Sequence, residues 1–85
     1  MSGGADVDRE PLRAHFTEVI GGDRKLLPGD GESLVEEGIL DSFGLAELVA
    51  FIERTYGVRV PDADLSLVRF ESIDKIAAWL AAARR

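Results

Sequence analysis

The 85-residue chain contains no cysteine and one histidine, His15. Without thiols it can form neither a disulfide framework nor a thiolate metal site. A single histidine excludes a histidine-rich metal centre, and a Ser-His-Asp triad would have to recruit that one residue. Long apolar runs are also missing; none approaches the roughly 20 residues that cross a bilayer, so no membrane insertion is expected. The first residues, "MSGGADVD", lack the basic and apolar regions of a secretory signal. They read as a flexible lead over residues 1–7. A single domain over 8–83 should follow, with a two-residue tail at 84–85, and a cytoplasmic location is expected.

Basic residues are few. Ten stand against sixteen acidic ones, for a net charge of −6. Nucleic-acid binding rests largely on Lys and Arg neutralising phosphates, so no nucleic-acid partner is expected. The balance favours basic protein surfaces instead. No basic residue lies between Lys25 and Arg54, while Asp30, Glu32, Glu36, Glu37, Asp41, Glu47 and Glu53 fall within that stretch. A charge run is most often a solvated face. This one also brackets the dipeptide Asp41-Ser42 and would surround it with negative field.

What is present is helical periodicity. Leu12, Phe16, Val19 and Ile20 form one stripe, which predicts a helix over 8–20. Pro11 sits in its first turn, where a missing N–H costs little, and Gly21-Gly22 ends it. Residues 21–41 read as a long connection pinned by Leu26, Leu27, Leu34, Ile39 and Leu40, with a helical turn near 33–36. The clearest helix spans 42–56, with Leu45, Leu48, Val49, Ile52 and Tyr56 on its apolar face and Gly57 at its end. "VRVP" is extended but has no second strand to pair with, so it is a loop. "DADLSLVRF" suits a short helix with Leu65, Val68 and Phe70 turned inward. The last helix starts after the N-cap Ser72 and directs Ile73, Ile76, Ala77, Leu80 and Trp79 inward. The fold class is therefore all-α, a small helical bundle.

The stretch "GILDSFGL" admits more than one function. Asp and Ser are favoured at helix starts because their oxygens accept from free backbone N–H groups, so Asp41-Ser42 can be a plain cap. Two details point elsewhere. Gly44 lies in the first turn at a cost of about 1 kcal/mol relative to Ala, and no Glu or Gln completes a capping box. Phe43, Ala46 and Ala50 form a second stripe, off the core face, beside an acidic rim; that pattern suits docking. A helix N-terminus also favours an anion, so a phosphodiester on Ser42 would be well placed. A hydrolase nucleophile would need a base and an oxyanion hole, and no G-x-S-x-G elbow surrounds Ser42.

"EEGILDSFGLAELVAFIERTYGVRVPDADL" resembles the central part of acyl carrier proteins and related peptidyl carriers. The resemblance lies in Asp41-Ser42, the apolar Phe43, Glu47-Leu48, Tyr56-Gly57, the loop from Val58 to Asp62 and the C-terminal "FESIDKIAAWL", and it extends over about residues 9–81. It implies a four-helix bundle: three main helices, a short third one, and a long loop between the first two. It implies that Ser42 bears a 4′-phosphopantetheine arm, attached by a phosphopantetheinyl transferase from coenzyme A, whose thiol holds cargo as a thioester. The chain would then be a monomeric, non-catalytic carrier. Asp41 would flank the attachment point. Phe43, Ala46, Glu47, Ala50 and Glu53 would face partners with basic docking surfaces: an acyltransferase, a ketosynthase, or an adenylating or ligase enzyme.

The chain departs from the family pattern at three points. Phe43 stands where many members have Leu or Met. Arg54 interrupts a usually acidic segment. Gly38 precedes Ser42 by four positions, a spacing similar to that of free-standing carriers, while the glycine pair and His or Asp before a peptidyl carrier's serine are absent. The expected function is a discrete acyl carrier of polyketide, nonribosomal-peptide or related secondary metabolism, with an aminoacyl, peptidyl or D-alanyl carrier as the alternative. A helical interaction module with Ser42 as a cap is the alternative of another class. Leu45, Leu48, Phe51, Ile52, Val68 and Phe70 are candidates to line a cargo gap. The bulk of Phe51 favours a filled core, and with it a short or polar cargo.

Overall fold

A computed structural model describes residues 7–84. Asp8 and Pro11 open its first helix. The Asp8 carboxylate accepts from the Glu10 amide at 3.0 Å, and Pro11 occupies the first turn, where no amide is needed. Helix α1 (Glu10–Val19) buries Leu12 and Phe16 and leaves Val19 exposed. It stops at Gly21 and Gly22, whose φ values of +103° and +101° suit glycine. Helix α2 spans Ser42–Tyr56 and ends at Gly57, left-handed with φ +69°. Helix α3 (Ile73–Ala83) is capped by Ser72, whose side chain accepts from the Lys75 amide at 3.1 Å. The domain is all-α, with three helices and no strand among the described residues.

The core joins all three helices to both connections. Leu12 and Phe16 of α1, Leu48 and Ile52 of α2, and Ile73, Ile76 and Leu80 of α3 are fully buried. Leu34, Leu40 and Phe70 from the connections complete it. The long first connection is fastened from two sides. Leu34 donates its amide to the Glu71 carbonyl at 2.8 Å, and Asp74 donates its amide to the Asp30 carbonyl at 2.9 Å. Ion pairs add to this: Arg13 Nε bonds Asp30 Oδ1 at 2.9 Å, Arg9 Nε bonds Asp74 Oδ1 at 2.9 Å, and Arg24 pairs with Glu10. The expected turn is present near 34–38. Ser33 Oγ caps it by accepting from Glu36, and Gly38 closes it at φ +77°.

The segment after α2 and the two ends differ from expectation in detail. The short third helix is a 3₁₀ turn, Asp62–Asp64, followed by one turn in which Ser66 Oγ accepts from the Arg69 amide at 3.0 Å. Asp and Ser side chains compete for backbone groups and favour such turns over a propagating helix. Leu65 (41% exposed) and Val68 (72%) consequently face outward; only Phe70 is buried. Val7, placed in the lead, belongs to the core, while residues 1–6 lie outside the described residues. Of the expected tail, Arg85 also lies outside them, whereas Arg84 is held, its guanidinium 5.8 Å from the centre of the Tyr56 ring.

Two outcomes follow from this fastening. Leu34→Ala removes the side chain that anchors the connection and should cost about 2–5 kcal/mol, seen as a lower urea midpoint with unchanged helical signal before the transition. The Arg13 guanidinium holds the Asp30 carboxyl below its ordinary value of 3.8. A depressed folded pKa contributes stability above the unfolded pKa, lost as pH falls through the folded one. Asp30→Asn should therefore be less stable than the parent at neutral pH, and urea midpoints should converge as pH falls below about 3.8.

Candidate functional site

The start of α2 is built from the residues just before it. Leu40 is buried, and its amide and that of Ile39 both donate to the Leu34 carbonyl, at 3.1 and 2.9 Å. The next residue, Asp41, is extended at φ −132°, and its Oδ1 accepts from the Gly44 amide at 2.8 Å. Asp41 is thus the cap. Ser42, expected as an alternative cap, does not serve as one: it is the first helical residue, and its exposed side chain makes no hydrogen bond among the described residues. Gly44 also acquires a reason. A Cβ there would stand 3.3 Å from Asp41 Oδ1 and 3.4 Å from Leu40 Cδ1, so glycine lets the cap close tightly.

Two depressions flank this turn. One, of 310 Å³, is lined by Ser42, Leu45, Ala46, Val49 and Leu65. The other, of 270 Å³, runs between α1 and the start of α2 and includes His15, Val19, Ile39, Asp41, Phe43 and Glu47. The serine and the histidine therefore line different depressions. Among the described residues Ser42 has no hydrogen bond to a base. His15 is instead part of the packing: its ring stacks on Phe51 at 4.6 Å and meets Phe16 edge-on at 5.0 Å. Partial burial pushes its pKa down; Glu47 opposes the shift and Arg54 reinforces it.

Of the expected gap residues, Leu45 lines the groove beside Ser42 and the others do not. Leu48, Ile52 and Phe70 are sealed in the core, Val68 is exposed, and Phe51 turns toward α1 and His15. Phe51, stacked on His15, gives no ground for a short or polar cargo. Leu65 supplies the groove wall instead, a role hidden by reading it as a core residue. His15 as a wall of the second depression was also missed. Nothing in its helical spacing marks it, since its neighbour Phe16 carries the apolar stripe.

Of the residues expected to face partners, Phe43 (72% exposed), Ala46, Glu47 and Ala50 all lie exposed on α2. Glu53 differs. It is half-buried, and its Oε2 accepts from the Val60 amide at 2.9 Å, which ties the end of α2 to the chain beyond it. No cluster of residues that could hold a metal ion is found among the described residues. No helix there is long and apolar enough to cross a membrane.

The family model described as "Phosphopantetheine attachment site" matches residues 10–80. The chain is 35% identical over 66 residues to the anthracycline acyl carrier protein DpsG of Streptomyces peucetius, an alignment covering 76% of this chain and 79% of that protein. It is 33% identical over 66 residues to the anthracycline acyl carrier protein DauA of Streptomyces sp. (strain C5), with the same coverage.

The cap can be tested alone. Asp41→Ala removes the bond to Gly44 and should cost about 1 kcal/mol, whereas Ser42→Ala should leave the urea midpoint nearly unchanged. Equal losses from both would show that the serine shares the cap.

Proposed function

The chain belongs to the acyl carrier family of phosphopantetheine-attachment domains, and on that premise we propose that Ser42 is the residue that bears the arm. The observation that carries this is an exposed serine hydroxyl, free of the cap, at the N-terminus of α2. The Asp41 side chain takes the Gly44 amide and its carbonyl takes that of Leu45 at 2.7 Å. The Ser42 and Phe43 amides remain at the positive end of the helix dipole, where a phosphodiester is favoured. The group supplies, when bound, a terminal thiol on which an acyl cargo is held as a thioester.

The chain's own part is presentation. The groove of Leu45, Ala46, Val49 and Leu65 begins at Ser42 and offers an apolar wall along which cargo can lie. No base reaches the serine from the depression that holds His15, so transfer of the arm is left to a phosphopantetheinyl transferase and the chain acts as a carrier. The polyketide reading draws on the anthracycline carriers DpsG and DauA. It favours a discrete acyl carrier of secondary metabolism over an aminoacyl, peptidyl or D-alanyl carrier. Phe43, Ala46, Glu47 and Ala50 form the face offered to basic surfaces of an acyltransferase or ketosynthase; electrostatic complementarity of this kind speeds encounter and makes it salt-sensitive. Glu53 stabilises that face from behind rather than touching the partner.

Incubation with coenzyme A and a broad-specificity phosphopantetheinyl transferase should raise the intact mass by one arm. The gain should vanish in Ser42→Ala while the far-ultraviolet spectrum stays unchanged. A folded parent protein that gains nothing, or a Ser42→Ala variant that still does, overturns the assignment.

A further inference from the structure

A third depression, of 460 Å³, lies along α3 and shares no residue with the groove beside Ser42. Asp64 lines this one and its neighbour in the chain, Leu65, lines the groove. Arg59, from the extended segment after α2, and Arg69, from the turn ahead of α3, both line it. Its apolar wall is Trp79 with Pro61 and Ala82. The indole is fixed rather than loose: its Nε1 donates to Asp64 Oδ2 at 2.9 Å, and its ring meets Phe70 at 5.5 Å.

Among the other described arginines, all but Arg54 are engaged. Arg9, Arg13 and Arg24 are paired with Glu10, Asp30 and Asp74, and Arg84 lies against Tyr56. Arg59 and Arg69 are exposed and have no ion-pair partner among the described residues. The one carboxylate in the depression, Asp64, already accepts the indole N–H. In a chain of net charge −6, two arginines beside a fixed aromatic wall outnumber the single carboxylate of the depression they line. Arg presents a planar fork that matches a carboxylate, and the indole face offers apolar area next to it.

We propose that this depression is a docking site for an acidic segment of a partner protein, in which a carboxylate engages Arg59 and Arg69 and a neighbouring apolar side chain lies on Trp79. The site is separate from the acidic face of α2, so it would engage a protein whose surface charge is opposite to that sought by α2. It does not depend on the attachment of any group to Ser42.

The full chain is titrated with an acetylated hexapeptide of alternating glutamate and leucine. Emission from Trp79, the only tryptophan in the chain, and backbone amide shifts report binding. A saturable change centred on Arg59, Arg69 and Trp79 is expected. Arg59→Ala with Arg69→Ala should weaken it about tenfold or more, as for loss of a charge-assisted hydrogen bond. Arg59→Lys with Arg69→Lys, which keeps the charges without the fork, should weaken it less, and Ser42→Ala should bind as the parent does. Equal binding of the glutamine-for-glutamate peptide overturns the proposal, as does the same set of shifts with acetate alone. A folded double-alanine variant that binds unchanged, or a parent that shows no change at millimolar peptide, also overturns it.

Discussion

The Leu34 amide donates to the carbonyl of Glu71, and the side chain behind it is completely buried. This contact fixes the middle of the connection between α1 and α2 to the residue just ahead of the Ser72 cap. Ordering a backbone residue costs about 1–2 kcal/mol, so a connection of this length stays in one place only where burial and bonding offset that cost. Leu34 and Leu40 provide the burial, and Asp30 provides the bonding to α1 and α3. Everything at the start of α2 inherits its position from this anchor: Leu40 sits directly on the Leu34 carbonyl, and Asp41 comes next. The exposed ion pairs around Arg24 add little by comparison, because charges in water are well screened.

The acidic run sorts into two populations. Asp30, Glu32, Asp41 and Glu53 are bonded to Arg13, Gly29, Gly44 and Val60, and so serve the fold. Glu36, Glu37 and Glu47 are exposed and remain available to the surrounding field. A count of charges along the sequence could not separate them, because the difference lies in what the tertiary structure brings opposite each carboxylate. Arg59 and Arg69 illustrate the same point in reverse. They are ten residues apart in the chain, with the 3₁₀ turn between them, yet line one depression with Trp79 of α3.

Helix α2 was fully legible in the sequence, with bounds at Ser42 and Tyr56, because three signals agree: apolar periodicity, a capping residue and a terminal glycine in left-handed geometry. The turn near 34–38 and the absence of a strand at "VRVP" were legible for similar local reasons. The segment after Pro61 was not. Its apolar residues have helical spacing, but Asp62, Asp64 and Ser66 divert the backbone into turns, which carries Leu65 and Val68 outward. The direction of Phe51 was equally hidden, since it is set by the His15 ring on another helix. For the candidate site, the sequence located Asp41-Ser42 but not the division of roles between them; that depended on which oxygen lies 2.8 Å from the Gly44 amide.

That division has a thermodynamic consequence. A serine that capped its own helix would lose the cap whenever its oxygen was esterified, and folding and modification would then be coupled. Because Asp41 holds the cap, the Ser42 oxygen can change its bonding without loss of the bond to the Gly44 amide. A carrier cycles between blank, armed and loaded forms. With the two roles on adjacent residues, a change at the serine oxygen leaves in place the bond that starts the helix.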